Sequence, residues 1–336
     1  MYFDESISLI RELSMEKGFI SSADYAAVMK EQVLPYIEER RQNKELTALD
    51  GANLYTSFFT ADEPKGTVML LHGFTENIEK FSEVIFAFLK EGYSVLCYDQ
   101  RGHGRSYRYP GVESYDITHV GHFEDYLKDA ELVYNSWMKD AVKPLILMGH
   151  SMGGAVAALT LERGILPFDK AVLTSPMVAP ATGGFPAWTG DLICRAAILA
   201  GKGKKRIFLS KPYTGEEKFE DSCANSRERF DWYDEIKRTT PVFQNSSPTY
   251  RWTKESIGVT RKILAKGQPE KVRIPVLILQ ASDDNTVEGA PQEALAKRLA
   301  KGRLVRIGNA RHEIYRSVDE VCGKWWKEIT DFLKEE

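Results

Sequence analysis

KPLILMGHSMGGAVAA, residues 143–158, is the stretch on which the reading of this chain turns. The apolar run 145–148 ends abruptly in Gly149-His150-Ser151-Met152-Gly153, and a small-residue helical pattern follows at once. A serine held between a strand and a helix by flanking glycines has the G-x-S-x-G form of a nucleophile elbow. The turn is so tight that a Cβ at either flank would clash. It lifts the Ser151 hydroxyl into a crevice and aims the next amide, that of Met152, at the same space. Five residues alone are a cheap match. Here the strand before them and the helix after them are both legible, which is the setting the chemistry needs.

The same alternation extends in both directions. Residues 66–71 (GTVMLL) read as a buried strand running into His72-Gly73-Phe74-Thr75-Glu76, and residues 94–98 (SVLCY) as another. Residues 81–90 and 122–138 carry apolar side chains at helical spacing. Residues 171–175, 275–280 and 304–307 read as further strands, and 318–333 as a closing amphipathic helix. The exception is 46–60, where two extended runs around Asp50-Gly51 predict a hairpin. Strands that alternate with helices pair in parallel through right-handed crossovers. The expected fold class is therefore α/β: a mostly parallel sheet flanked by helices, with catalytic groups at the carboxyl ends of the strands.

Two regions stand outside the alternation. Residues 1–45 read as a mostly polar helical lead-in, with Ile7, Ile10, Leu13, Val28, Val33 and Ile37 as an apolar stripe. Between Pro176 and about Arg273 no strand is evident, only helix-like pieces and turn clusters. The expected division is a lead-in over 1–45, a core of 46–176 and 274–336, and a helical cap inserted over 177–273, above the crevice.

A serine hydroxyl needs a base, and the base needs a third group to orient it. Behind an elbow these follow in the order serine, acid, histidine. Of the six histidines, only His312 lies beyond Ser151. It sits in Gly308-Asn309-Ala310-Arg311-His312-Glu313, a loop between a strand and a helix. The acid belongs after the strand 275–280, where Asp283 and Asp284 are neighbours pointing in different directions. Position alone does not choose between them. The second oxyanion donor belongs to the loop after the first long strand, at the amide of Phe74, opposite that of Met152. His72 and His150 are read as hydrogen-bonding and packing groups.

Composition bounds the rest. The chain has 336 residues, 43% hydrophobic and 28% charged, with a net charge of -3. That is ample for a large core and gives no reason to expect a nucleic-acid partner. Four scattered cysteines suit reduced packing thiols rather than a disulfide framework or zinc site. The opening MYFDESISLIRELSMEKG reads as neither a signal peptide nor a membrane span, so a soluble, cytoplasmic protein is expected.

Taken together, HGFTEN, DQRGHGRS, GHSMGG and the late ARHEI resemble the α/β-hydrolase superfamily, and within it the branch of monoacylglycerol lipases and bacterial lysophospholipases. The resemblance runs from about Leu46 to the C-terminus. It includes NSRERF (225–230) and SPTYRW (247–252) in the insertion. It implies an α/β-hydrolase fold with Ser151 as nucleophile and His312 as base. The family pattern Q-G-S-x-D matches Gln280 to Asp284 and favours Asp284 over Asp283; Ala281 departs from the usual glycine. The oxyanion amides map to Phe74 and Met152. Glu76, Asp99 and Arg101 match structural positions of the H-G-x-x-E and D-x-R-G-x-G turns.

The chemistry so implied is two-step acyl transfer on a carboxylic ester of lipid type, a monoacylglycerol or lysophospholipid, with no metal or organic cofactor and no obligate protein partner. Phe185 and Trp188, with Leu192, Ile193, Ile198, Leu199 and Phe208, offer apolar surface for an acyl chain. Lys202, Lys204, Lys205 and Arg206 form a basic run that either meets phosphate headgroups or an anionic membrane surface, or is simply solvated. Two rivals are carried forward. An aminopeptidase would need cap carboxylates such as Glu216, Glu217, Glu220 and Asp221 for a substrate amino terminus. A non-catalytic scaffold would show a broken triad. Dehalogenases and epoxide hydrolases place an aspartate where this chain has Ser151.

Overall fold

Short apolar runs that are buried residue by residue make the centre of the molecule. The computed structural model describes residues 19–335; Ile7, Ile10 and Leu13 of the expected lead-in lie outside them. The interior strands are β3 (Thr67–Leu71), β4 (Ser94–Tyr98), β6 (Leu145–His150), β7 (Lys170–Thr174) and β9 (Val276–Ala281). Their side chains alternate between two cores. Val68 and Leu70 of β3, Ile146 and Met148 of β6, and Leu277 and Leu279 of β9 join one cluster. Met69 and Leu71, Leu145 and Leu147, and Val276 and Ile278 join the other. This is the double burial that makes parallel strands read as continuous apolar runs.

With the hairpin β1 (Arg41–Thr47) and β2 (Asn53–Phe59) and the last strand β10 (Gly302–Ile307), the sheet has eight strands in the order β1-β2-β4-β3-β6-β7-β9-β10. β1 and β2 pair antiparallel, as do β2 and β4; every other pairing is parallel. β1 begins at Arg41, so the expected boundary at residue 45 falls inside a strand. Its Arg41, Lys44 and Glu45 keep that edge charged, a protection against edge pairing. The lead-in itself is helical over α1 (Tyr25–Val28), a wider turn Met29–Val33 and α2 (Leu34–Glu39). Val28, Val33 and Ile37 are buried there as the stripe predicts.

Helices α3 (Ser82–Lys90) and α10 (Asp319–Lys334) cover one face of the sheet. The other face carries α4 (Glu124–Trp137), α5 (Met152–Arg163) and α9 (Gly289–Arg298). Between β7 and β9 the chain leaves the sheet and makes α6 (Ala187–Leu199), α7 (Arg227–Thr239) and α8 (Tyr250–Ile263). This segment contains one strand that was not expected: β8 (Ser247–Pro248) pairs with β5 (Ile117–Thr118). Two residues are too short for any periodicity to reveal.

The insertion is fastened to the core. α8 packs on both α5 and α6. Arg229 of α7 is buried, pairing with Glu83 of α3 and Asp319 of α10 at 2.9 and 2.8 Å and donating to the Ile20 carbonyl. The basic run is largely consumed in the same way: Arg206 pairs with Asp116 at 2.9 Å, Lys205 with Glu113 at 2.5 Å, and Lys204 donates to the Pro110 carbonyl. No described helix is long and apolar enough to cross a membrane.

Candidate active site

β6 ends at His150 and α5 begins at Met152, which leaves a single residue to reverse the chain. That residue, Ser151, has φ 51° and ψ -116°. A side chain other than hydrogen is strained there, by about 1–3 kcal/mol. The glycines around it have separate reasons. A Cβ on Gly153 would stand 2.1 Å from the Leu71 carbonyl oxygen, because α5 crosses directly over the end of β3. One on Gly149 would stand 2.6 Å from the Gly153 carbonyl oxygen. The elbow is therefore pressed against the strand that supplies the second loop of the site.

That loop follows β3. A Cβ on Gly73 would lie 3.0 Å from both Ser151 Cβ and His150 Nδ1, so the Gly73–Phe74 peptide abuts the serine. Met152 opens α5, and the first amides of a helix have no acceptor within it. Phe74 is half-buried, with its ring 4.1 Å from that of Trp252 in α8. The loop after β3 thus also contacts the insertion.

The third loop follows β10. His312 is buried, and its Nδ1 lies 2.7 Å from Asp284 Oδ2. Asp284 Oδ1 accepts from the Thr286 and Val287 amides at 2.8 and 3.1 Å. Burial pushes the Asp284 carboxyl up, but the hydrogen bond and charge of His312 with these two amides outweigh it, leaving the group below its ordinary value. Asp283 is turned away; its carboxylate is exposed and accepts from Ser282. Of the two neighbours, it is thus Asp284 and not Asp283 that stands beside His312.

Behind these loops lies a buried network that the sequence analysis assigned only in outline. Glu76 Oε2 accepts from the Gly73 amide and from His150 Nδ1, and Glu76 Oε1 accepts from the Tyr315 hydroxyl at 2.7 Å. His150 Nε2 donates to the His312 carbonyl at 3.3 Å, and the two rings are 4.9 Å apart. Burial alone would raise Glu76 and lower His150. Their mutual attraction reverses both: Glu76 is held well below the usual carboxyl range and His150 above the usual imidazole value. His72 is different. Its Nε2 accepts from the Gln100 amide at 2.8 Å, so Nδ1 carries the proton and donates to the Gly73 carbonyl. Burial pushes its pKa down.

Asp99 and Arg101 occupy scaffold positions. Asp99 accepts from the Ile78 and Arg105 amides, each at 2.8 Å. Arg101 makes a two-point bond to Asp129, both contacts at 2.6 Å, and reaches Asp50 in the hairpin turn.

Phe185 and Trp188 do not join this group. They stand exposed on the insertion, and Trp188 lines a recess of about 390 Å³ with Pro180, Ile257 and Glu288, whose walls include none of Ser151, Asp284 and His312.

Residues 62–319 match the family model described as serine aminopeptidase, S33. The chain belongs to that family. This S33 member is 29% identical to a probable lysophospholipase L2 of Haemophilus influenzae, across 79% of this chain and 83% of the relative. It is 26% identical to lysophospholipase L2 of Escherichia coli K12, across 88% of each. A soluble variant of monoglyceride lipase from Saccharomyces cerevisiae superposes with a TM-score of 0.67 at 19% identity, covering 87% of this chain and 94% of the yeast one. The sheet order and this likeness together place the S33 chain in the α/β-hydrolase fold, as the resemblance implied.

Proposed function

We propose that this protein is a serine hydrolase that cleaves carboxylic esters of lipids, monoacylglycerols or lysophospholipids, through an acyl-enzyme. The observation that carries the reading is the 2.7 Å bond between His312 Nδ1 and Asp284, in a site whose elbow serine has φ 51°. Bonded through Nδ1, His312 keeps Nε2 as the atom that accepts the Ser151 proton when Oγ attacks the ester carbonyl. The negative oxygen of the tetrahedral intermediate is received by the amides of Phe74 and Met152. Each such donor is worth about 2.7–4 kcal/mol of barrier. His312 then returns the proton to the departing alcohol, and water repeats the sequence on the acyl group.

The helical insertion acts as a cap over this centre in our reading, and the names of the lysophospholipase relatives support a lipid substrate. Exposed Phe185, Trp188, Leu192 and Leu199 on the cap suit transient contact with a membrane surface, with little help from the basic run, which is mostly paired. Four unbridged thiols fit the reducing cytoplasm.

The test is a panel of acyl p-nitrophenyl esters of increasing chain length beside aminoacyl amides, with fluorophosphonate labelling of wild type and Ser151→Ala. Ester turnover with label lost in the variant is expected. Turnover of the amides alone would move the assignment to an aminopeptidase, as the family description suggests. An unlabelled, folded wild type would leave a non-catalytic scaffold.

A further inference from the structure

A recess of about 400 Å³ opens beside the candidate centre, between the loop after β3, the turn after His312 and the insertion. Its size is that of a small-ligand pocket. Thr75 and Glu313 are in its wall, so it begins one residue beyond the proposed oxyanion donor Phe74 and one beyond His312. Its other lining is charged to a degree that an acyl chain does not require. Lys80, Lys218, Lys237 and Arg316 face it, and so do Glu217, Asp221 and Asp234.

These charges are not equally committed. Glu313 holds both Lys80 and Arg316, each at 2.6 Å, with all three side chains buried. Lys237 is also buried but has a looser partner. Its Nζ lies 2.5 Å from Glu217, whose side chain is 37% exposed against 5% for Lys237. Burial pushes the Lys237 pKa down, and the Lys80 charge nearby adds to this. On the same helix as Lys237, one carboxylate oxygen of Asp234, Oδ1, is buried with no hydrogen-bond partner. Its Oδ2 pairs with Arg238 at 3.3 Å. The recess therefore holds a buried cation, Lys237, whose anion can swing out to solvent, and one carboxylate oxygen, Asp234 Oδ1, with nothing to accept.

We propose that this recess binds the zwitterionic headgroup of a lysophospholipid, with the phosphodiester on Lys237 and the ammonium on Glu217 and Asp234. The proposal rests on the ester-hydrolase reading above. A phosphate entering against Lys237 takes over its ion pair. The displaced Glu217 then joins Asp234 Oδ1 in accepting from the ammonium, and the net charge of the lining is conserved. The lining carries four cations and four carboxylates, so a lone anion would leave one negative charge uncompensated. A bare ammonium would leave one positive charge in the same way. An uncharged glycerol brings neither charge and leaves the Lys237–Glu217 pair as it is. Since burying unpaired charge is costly, the recess selects for the group that carries both signs.

The test uses the full chain and two variants, Lys237→Gln and Glu217→Gln, the second on the exposed side so that it still reports if the first does not fold. kcat/KM is measured on lysophosphatidylethanolamine and on a monoacylglycerol of the same acyl chain. The ratio of the two is expected to fall about tenfold or more in each variant, through KM, as for the loss of one charged hydrogen bond. Glycerophosphoethanolamine should inhibit wild-type p-nitrophenyl ester hydrolysis competitively and the variants more weakly, while inorganic phosphate and ethanolamine inhibit less. A ratio that stays put while esters are still cleaved, or inhibition no stronger than by glycerol, overturns the headgroup site alone. If no ester is cleaved and no fluorophosphonate label is taken up, the hydrolase reading fails and this site with it.

Discussion

The Glu76 carboxylate lies 3.0 Å from His150 Nδ1, with both residues buried. Through its remaining contacts Glu76 also holds the Gly73 amide and the Tyr315 hydroxyl, while His150 reaches the His312 carbonyl. One ion pair therefore ties together the loop before Phe74, the elbow and the segment that carries His312. None of its atoms is assigned a place in the reaction; its role is to set the distances among those that are.

This pair makes stability depend on pH with a defined sign. His150 has its folded pKa raised above the ordinary 6.5 by Glu76, against the effect of burial. The folded state then binds more protons, so the contribution is complete below about 6.5 and is lost as pH rises through the folded value. Glu162, pushed up to about 8 by burial, bends stability the same way. The His150 share is thus the difference between wild type and Glu76→Gln in urea unfolding measured across that range. We expect the variant to be less stable by about 3–5 kcal/mol, the usual cost of breaking a buried pair, and to have a shallower alkaline decline. On the acid side, Glu76 is held well below 4.5 and Glu313 down to about 2. Both contributions are present above about 4.5 and disappear as pH falls through the folded values. An alkaline slope identical in wild type and variant would show that His150 is not charged in the folded protein.

Asp284→Asn should cost about 10⁴ in kcat, as loss of the carboxylate behind a catalytic histidine does elsewhere. Asp283→Asn should change it by no more than about twofold, since exposed groups away from special contacts matter little. Steady-state kinetics on one ester suffices. The reverse ranking would move the acid by one residue, against the 2.7 Å contact between Asp284 and His312.

Ser151→Gly should be more stable than Ser151→Ala, and both should be inactive. At φ 51° and ψ -116° alanine keeps the backbone strain that glycine relieves. The strain is about 1–3 kcal/mol, from which glycine gives back up to about 1 kcal/mol in unfolded-chain entropy. Urea or thermal unfolding of the two variants measures the difference. Equal stabilities would mean that the elbow is not strained.

The interior strands were legible because parallel strands buried on both faces must be apolar at every position, and runs such as VMLL and LILM contain nothing else. The elbow was legible for a local reason: its glycines answer contacts within the turn and with the adjoining strand. What escaped was set across long sequence separations. Asp283 and Asp284 are chemically identical neighbours, and only the position of a histidine 28 residues on distinguishes them. The hydrogen-bonding role expected of Glu76 was right, but its partners His150 and Tyr315 lie 74 and 239 residues away. The start of β1 at Arg41 escaped because an edge strand that buries only Leu46 carries the polar side chains of a lead-in. Phe185 and Trp188 are apolar, which is equally consistent with the wall of the candidate site and with the exposed positions they occupy, Trp188 beside a separate recess.

Patterns of period and order, together with one tight glycine-flanked turn, were enough for the sequence alone to specify an α/β sheet, the strand-to-helix turn at Ser151 and the only histidine downstream of it. The tertiary structure decided which carboxylate stands behind that histidine, which ion pair braces the loops, and which charges share a recess beside them. The physical reason is one of range. Burial and turn strain are written in neighbouring residues, whereas charge pairing depends on which distant segments the sheet brings within about 3 Å of one another.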